Sequence, residues 1–427
     1  MGPCGLVNRD QCDRATFVGT LLPPDDVASK PLTISTNGLS GARRGPSTGK
    51  RTRQNRDRDR WRPAVNPRET QTLHVRGVLL PEDQPRDLYI VDGHVSYERV
   101  DAVATIAEGW IVPGLVDAHC HIGIGLGQSG PADSDEQERQ AAADLDGGAL
   151  LLRDCGSPVD NRWVQQREDL PRLIRAGRHL ARPRRYLRGL GLDVEPAELP
   201  SAAAEQARLG DGWVKIVADW IDRDRGDLAP AWPAEAVRTA VAAAHAAGAR
   251  VTAHVFGEEA LPDLIDGGID CLEHGPGLDD TLLARMARSG IALVPTLINI
   301  YTFPSIADRA ERFPAYAGHM RHLHARAPDM VRTAYEAGVR VCAGTDAGGG
   351  IQHGRIVDEI VALNRAGLPA DVALAAGSWD ARTWLGFPGG LSEGAPADFL
   401  VLADDPRRNL DTLRHPRQTF LRGRPMR

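Results

Sequence analysis

The stretch Gly109-Trp-Ile-Val-Pro-Gly-Leu-Val-Asp-Ala-His-Cys-His121 joins an apolar, β-like run to a pair of histidines. Its second half predicts a strand over residues 115–121. Because side chains two apart on a strand point to the same face, we expect His119 and His121 to project together while Cys120 points away. Two imidazoles at a strand end suit a divalent metal. Taken alone, the pair is equally compatible with ordinary core or surface histidines.

The chain after this stretch alternates short β-branched runs with Ala-rich helical stretches over residues 113–388. This order predicts βαβ units and a parallel sheet. We expect eight strands, at 115–121, 149–154, 184–190, 213–218, 250–256, 269–274, 291–295 and 340–346, and helices that include 235–248, 258–267, 280–290 and 328–338. Eight such units over about 270 residues match an α/β fold of the closed (β/α)₈ TIM-barrel type.

The two ends of the chain differ from this middle part. Runs at 73–80 and 87–96, the second with the hairpin signal Asp92-Gly93, predict short strands, as do runs at 397–403 and 418–424. We therefore expect residues 69–112 and 389–427 to build one small β domain of the β-sandwich type. Residues 1–68 are rich in Gly, Pro and Ser and predict a disordered extension. An alternative interpretation of the charged run at 51–60 is an arm that binds nucleic acid.

The bulk composition points to a protein that acts on small molecules. The chain has 427 residues and a net charge of −6, which gives no overall basic surface for nucleic acid or an anionic membrane. It lacks both an apolar stretch of about 20 residues that could span a bilayer and a signal peptide, so a cytoplasmic location is expected. The six scattered cysteines predict reduced thiols. A homo-oligomer is also expected.

Lys215 stands out because lysine otherwise occurs only at Lys30 and Lys50, while arginine is abundant. It lies in the apolar run Trp213-Val-Lys-Ile-Val217, where burial of an ammonium group is costly. An arginine there could not lose its proton. A deprotonated lysine can add CO₂ and become a carbamate able to bridge two metals. The alternative is a lysine that reaches solvent or pairs with an acid such as Asp219.

Three further metal-binding residue types fall at predicted strand ends. His254 lies in the fifth strand, His274 ends the sixth and Asp346 ends the eighth. Each residue alone has a structural interpretation. A histidine in a core is often hydrogen-bonded without being a metal ligand, and an aspartate near glycine is common in turns. In a closed barrel, however, the ends of strands one, four, five, six and eight converge on one mouth. The joint pattern predicts a metal site there.

These motifs resemble the amidohydrolase superfamily, especially its branch similar to imidazolonepropionases and metal-dependent prolyl or cationic-residue dipeptidases. The resemblance rests on residues 109–121, Lys215, His254, Glu273-His274-Gly275, Gly344-Thr-Asp346 and the tail at 393–406. It covers about residues 73–423 and leaves the first 68 residues unmatched.

The resemblance implies a binuclear metal site with zinc as the leading candidate. It implies that His119, His121 and Asp346 hold the more buried metal, that His254 and His274 hold the more exposed one, and that carboxylated Lys215 bridges them. Asp346 is then the general base and later the proton donor to the leaving group, and either the more exposed metal or a nearby histidine, with His274 as the candidate, polarises the scissile carbonyl. His353 is a candidate substrate contact, with a helix-capping or surface role as the alternative. His319, His322 and His324 are expected in a loop-to-helix region as a polar face.

The function that follows is hydrolysis of a C–N bond in a small molecule, such as a dipeptide or N-acyl amino acid, by metal-activated hydroxide. Lactones, phosphoesters and ring substituents are alternative substrates, because the fold supports many chemistries by loop variation. A non-enzymatic assembly barrel is a further alternative, but such a protein should have lost the metal ligands that this chain retains.

Overall fold

The computed structural model describes residues 72–128 and 130–426, so the predictions made for residues 1–68 lie outside the described residues. Within these ranges the strands are, in chain order, β1 (Leu73–Leu79), β2 (Gln84–Val91), β3 (His94–Ser96), β4 (Thr105–Pro113), β5 (Leu115–Cys120), β6 (Ala149–Asp154), β7 (Arg172–Arg175), β8 (Leu180–Ala181), β9 (Leu192–Asp193), β10 (Trp213–Val217), β11 (Asp219–Asp222), β12 (Asp227–Pro230), β13 (Arg250–Val255), β14 (Cys271–His274), β15 (Ala292–Val294), β16 (Phe399–Leu402), β17 (Gln418–Leu421) and β18 (Arg424–Met426). The α-helices are α1 (Ser134–Asp146), α2 (Leu199–Leu209), α3 (Ala234–Ala246), α4 (Leu261–Asp266), α5 (Asp280–Ser289), α6 (Leu297–Ile300), α7 (Phe303–Asp308), α8 (Pro314–Glu336), α9 (Ile356–Arg365), α10 (Ala370–Ala376) and α11 (Trp379–Trp384). Short 3-10 helices lie at Leu126–Gln128, Arg162–Gln166 and Leu410–Arg414. None of the described helices is long and apolar enough to cross a membrane.

Strands from both chain ends join one seven-stranded sheet in the order β18-β17-β16-β4-β1-β2-β3. The hairpin between β2 and β3 turns at Asp92 and Gly93, whose φ angles of 52° and 81° are the positive values that a tight hairpin needs. Val75, Leu88 and Phe399 are buried in the small core on this sheet. The predicted union of the two ends is therefore present. A second layer, which a sandwich requires, is not among the described strands of the two ends, and the sandwich stays a prediction.

The middle of the chain forms parallel sheets with helices between their strands. One sheet has the order β5-β6-β7 and another the order β15-β14-β13-β10-β8-β9, with every neighbouring pair parallel. Every residue of β5, β6 and β10 is buried, as expected for parallel strands covered on both faces. Strands β6, β10, β13, β14 and β15 match their predicted positions to within two residues at each end.

The predicted third strand at 184–190 is wrong. The chain is extended instead at β7 and β8, and residues 184–190 form turns. The sequence of β7 is Arg-Leu-Ile-Arg. Because an arginine stands at each end, the strand does not show the apolar run from which the other strands were predicted. Arg172 reaches Asp398 at 2.7 Å and Arg175 reaches Asp211 at 2.7 Å, so both charges are paired beside the strand. Arg184 has φ 63°, which a strand does not accommodate.

The predicted eighth strand at 340–346 is also not a regular strand. Two isolated parallel bridges replace it, from Val341 to Leu293 of β15 and from Ala347 to Cys120 of β5. This segment thereby hydrogen-bonds to strands on both of its sides. A Cβ at Gly344 would lie 2.7 Å from the Cβ of His119, so only glycine lets the segment pass this close to β5. The helix predicted at 328–338 is the last part of α8.

Candidate metal centre

Three of the expected ligands meet where β5 and the 340–347 segment end. The Asp346 Oδ1 atom lies 3.0 Å from His119 Nε2 and 3.1 Å from His121 Nε2. The two Nε2 atoms are 3.2 Å apart. His121 is fixed by a 2.8 Å contact of its Nδ1 atom with the carbonyl oxygen of Gly156. Two imidazoles and a carboxylate thus present donor atoms to a common point.

Two further histidines lie beside this group. The His274 ring centroid is 5.1 Å from that of His119 and 4.7 Å from that of His254. His274 has φ 67°, a left-handed conformation that ends β14 abruptly, and its Nδ1 atom lies 2.7 Å from Thr296 Oγ1. Hence the His274 ring lies between those of His119 and His254 in a chain of ring contacts.

Lys215 contacts the carboxylate of Glu273 in the interior, where both side chains are buried. Glu273 is fully buried, and its Oε1 atom is 3.5 Å from His119 Nδ1, 3.2 Å from Arg153 Nη2 and 2.8 Å from Thr252 Oγ1. Burial lowers the pKa of Lys215 to about 8, because desolvation disfavours the ammonium form. Lys215 is thus a buried lysine that does not reach solvent, and its acid partner is Glu273.

Asp219, the alternative partner considered for Lys215, serves another part of the site. Its carboxylate accepts hydrogen bonds from the backbone N–H groups of Phe256 and Gly257 and lies 3.8 Å from His254 Nε2. Desolvation raises the pKa of Asp219 to about 7. Asp219 thus packs against His254 and ties β11 to the end of β13.

The donor atoms of this cluster suit a divalent metal. Two groups of three residues each bring ligand atoms within 4.8 Å of one another, namely His119 with His121 and Asp346, and His119 with Glu273 and His274. Burial lowers the pKa values of His119, His254 and His274, which keeps their imidazoles neutral and their lone pairs available. The buried Nε2 atom of His254 has no hydrogen-bond partner among the described residues. Such unpaired donors are costly in a core unless a ligand satisfies them.

The chain matches the sequence model of the amidohydrolase family over residues 110–426. It belongs to the amidohydrolase family. An uncharacterized protein of Mycobacterium tuberculosis is 57% identical to this amidohydrolase over 354 residues, which are 82% of this chain and 95% of that protein. An uncharacterized protein of Mycobacterium bovis matches to the same extent. The family resemblance seen in the motifs is thereby confirmed.

Solved structures show the fold of this amidohydrolase. A Xaa-Pro dipeptidase with bound methionine has a TM-score of 0.70 at 20% identity, covering 83% of this chain and 99% of that one. The A. niger ochratoxinase has a TM-score of 0.69 at 20% identity, covering 84% of this chain and 96% of that one. These similarities indicate a TIM-barrel-type fold with a second domain.

The sequence prediction missed two side chains beside the cluster, His179 and Tyr186. His179 is fully buried, neither of its ring nitrogens has a hydrogen-bond partner in the described ranges, and its ring stacks on His121 with centroids 5.0 Å apart. A Cβ at Gly156, where φ is 124°, would lie 2.9 Å from the His179 ring, so this glycine makes room for it. The misplaced third strand hid both residues, since His179 lies between β7 and β8.

His353 lies apart from the metal-binding groups of this amidohydrolase. Its Nδ1 atom is 2.8 Å from Asp144 Oδ2 on α1, and the side chain is almost fully buried. It also lines a cavity of about 300 Å³ together with Ile124, Arg139 and Ile351. The contact with Asp144 gives His353 a structural role in holding the 348–354 loop against α1. Its role as a substrate contact stays a prediction.

Thr296 offers a test of how His274 is oriented. For His274 Nε2 to bind a metal, its Nδ1–H must donate to Thr296 Oγ1, an outer contact that fixes the tautomer. Thr296→Val keeps the β-branched shape and removes the acceptor, so we expect zinc affinity to fall about 10- to 100-fold. Competition with a fluorescent zinc chelator measures this. Thr296→Ser retains the hydroxyl and should bind zinc like the wild type. A Thr296→Val protein with unchanged zinc affinity would contradict the proposed orientation.

The contacts of His319 predict that its contribution to the stability of the fold depends on pH. It lies within α8, not in a loop-to-helix region, with Nε2 at 2.9 Å from Glu258 and Nδ1 at 3.0 Å from Asp227. Its hydrogen bonds to Glu258 and then Asp227 raise the pKa of His319 to about 9. Since the unfolded value is about 6.5, the stabilisation is complete below that pH and is lost as the pH rises through about 9.

His319→Gln should therefore lower the urea midpoint more at pH 6 than at pH 10. Denaturation of both proteins at the two pH values, followed by fluorescence, gives the comparison. Equal losses at both pH values would show that His319 is not charged between its two carboxylates.

Proposed function

We propose that this amidohydrolase is a metal-dependent hydrolase that cleaves a C–N bond of a small molecule. The observation that carries the proposal is the pair of three-residue donor groups that share His119. They lie in a buried setting at the ends of parallel strands, where enzymes with this kind of fold place their active sites. Closure of the eight strands into a complete barrel, with the 340–347 segment between β15 and β5, belongs to the same proposal.

The residues present fit two divalent metals, with zinc preferred by histidine and carboxylate donors. His119, His121 and Asp346 would hold one metal, and His254 and His274 the other. Lys215, once carboxylated, would supply the bridging ligand. Its lowered pKa makes the neutral amine that reacts with CO₂ more accessible than for an exposed lysine. Arg153, fully buried with its guanidinium 4.5 Å from the centre of the Trp213 ring, supplies a fixed positive charge beside Glu273.

Divalent metals at such sites lower the pKa of water from 15.7 to about 7 and polarise carbonyl groups. Asp346 would take the proton from the attacking water and deliver it to the departing nitrogen. In the balanced reaction a bond forms between water oxygen and carbonyl carbon, and the C–N bond breaks. His274, whose Nδ1 atom contacts Thr296, would help to align the carbonyl only through the metal that it holds.

Dipeptides are the first substrates to test, because one of the similar solved structures is named as a Xaa-Pro dipeptidase. Another similar solved structure is named as an ochratoxinase, so the panel is not confined to dipeptides. The experiment is a panel of dipeptides, N-acyl amino acids, lactones and phosphoesters, assayed with the zinc-loaded protein by mass spectrometry. We expect turnover of a dipeptide or N-acyl amino acid. Turnover confined to lactones, phosphoesters or a ring substituent would replace the C–N proposal with that chemistry.

A further inference from the structure

A cavity of about 300 Å³ lies between α1 and the 348–354 loop. Its apolar lining includes Ile124, Ala143 and Ile351, and Leu126, which is 44% exposed, extends this lining to the surface. None of the described residues that line the cavity is a proposed metal ligand. Since a dry apolar cavity of about 150 Å³ can hold one benzene molecule, this cavity has room for an apolar group of about two rings.

Hydrogen bonds hold the walls of the cavity in place. The Gln140 side chain on α1 accepts the backbone N–H of Gly123 at 2.9 Å and donates to the carbonyl oxygen of Ile124 at 2.8 Å. The N–H of Gly127 donates to the carbonyl oxygen of Gly349 at 2.6 Å, which joins the two loops. The cavity is therefore formed before any ligand binds, and little loop ordering opposes binding.

His353 brings a buried polar atom to this cavity. Its side chain is 6% exposed, and its Nδ1 atom lies 2.8 Å from the Asp144 carboxylate on α1. The N–H of Gly354 donates to the other oxygen of that carboxylate at 2.7 Å. Because Asp144 occupies Nδ1, the nitrogen left for a molecule in the cavity is Nε2. The Nε2 atom is buried without a hydrogen-bond partner among the described residues, which is costly unless a bound molecule satisfies it.

The charged side chains of the lining neutralise one another. Arg139 donates to the Glu136 carboxylate from Nε at 3.0 Å and from Nη2 at 2.8 Å, and His353 is paired with Asp144. A charged ligand would therefore meet no unpaired counter-charge among the described residues of the lining. These contacts favour an uncharged molecule.

We propose that this cavity binds an uncharged apolar molecule with a hydroxyl group, a phenol or an alcohol, and that the hydroxyl pairs with His353 Nε2. The apolar walls remove the body of the molecule from water, which favours binding. A hydroxyl both donates and accepts, so it pairs with Nε2 whether that atom carries a proton or a lone pair. The site is separate from the proposed metal ligands and does not depend on the proposed hydrolysis.

The test measures the binding of 2-naphthol to the full-length, zinc-loaded protein by isothermal titration calorimetry. We expect 2-naphthol to bind about 2- to 10-fold more tightly than naphthalene, which lacks the hydroxyl that pairs with His353. The charged 2-naphthoate should bind more weakly than 2-naphthol, because the lining offers it no counter-charge. Removal of zinc with a chelator should leave the affinity for 2-naphthol unchanged, because the described lining holds no proposed metal ligand.

Ala143→Leu narrows the cavity from the side of α1. Because 2-naphthol would then be overpacked, we expect its affinity to fall about 10-fold or more. The Tm should stay the same or rise, since the larger side chain fills empty volume. The matched control is Ala242→Leu, at an exposed position of α3 outside the cavity, which should bind 2-naphthol like the wild type.

A wild-type protein that does not bind 2-naphthol would overturn the proposal, including the case in which a second copy of the chain already fills the cavity. Naphthalene binding as tightly as 2-naphthol would reject the pairing with His353, and unchanged affinity of Ala143→Leu would reject the cavity as the site. Loss of binding on zinc removal would place 2-naphthol at the metal centre instead. A crystal structure of the wild type with 2-naphthol needs no variant. Its hydroxyl oxygen should lie within about 3.2 Å of His353 Nε2, and a clearly longer distance would reject the contact.

Discussion

Asp346→Asn is expected to reduce kcat about 10²- to 10⁴-fold, the range that a positioned general base contributes. Asn keeps the size of the side chain and tolerates the left-handed backbone at this position, where φ is 59°. It cannot accept a proton, so water activation and leaving-group protonation both suffer. Steady-state kinetics on the fastest amide substrate, with zinc content measured on the same sample, give the result.

The control for this variant is Asp308→Asn, an exposed aspartate on α7 that pairs with Arg321 and should leave kcat unchanged. The zinc measurement separates two reasons for a loss, because Asp346 is both a proposed ligand and the proposed base. Near-normal turnover by a folded, zinc-loaded Asp346→Asn protein would reject Asp346 as the base.

The sequence predicted the parts of the fold that follow simple apolar patterns. The strands β6 and β10 are buried throughout and β13 is buried after its first residue, and their sequence pattern locates them to within a residue at each end. The hairpin at Asp92-Gly93 could also be predicted from the sequence, because its positive φ angles restrict the residue types that fit. These features are local, so one sequence suffices to find them.

The third strand could not be found in the same way because its stability depends on distant charges. Arg172 is neutralised by Asp398, which lies 226 positions further along the chain, and no local pattern reports that pairing. The error carried over to the site, since it removed His179 and Tyr186 from consideration. A histidine between two short β-like runs was the signal available in the sequence.

Within the site, residue chemistry at strand ends predicted which side chains converge, but not what they contact. Lys215 was singled out by the scarcity of lysine, yet its contact with Glu273 follows from the register of β10, β13 and β14. The contacts of Glu273 with Lys215, His119 and Arg153 could not be predicted either, because the four residues lie on four strands of two sheets. Burial and packing decide these contacts, and spacing along the chain does not.

Removal of the proposed metals is expected to lower the rate of hydrolysis strongly, as the Asp346→Asn substitution does. Metal polarisation contributes several kcal/mol to such reactions, so dialysis against a zinc chelator should lower the hydrolysis rate by about 10³-fold or more. Addition of Zn²⁺ should restore it, because the lowered pKa values of His119 and His274 leave their imidazoles neutral, with no proton to lose before they bind. Activity that survives complete removal of metal would contradict the proposed mechanism.

The most direct test of the metal centre is the zinc content of the purified protein, measured by inductively coupled plasma mass spectrometry after loading and gel filtration. Because His119 is one of the three proposed ligands of one metal, the wild type should retain about two zinc ions per chain and His119→Ala should retain at most about one. His245→Ala, which alters a partly exposed histidine paired with Asp270, should bind zinc like the wild type. A wild-type protein that holds no metal, or a His119→Ala protein that holds as much as the wild type, would contradict the account and return the non-enzymatic barrel to consideration.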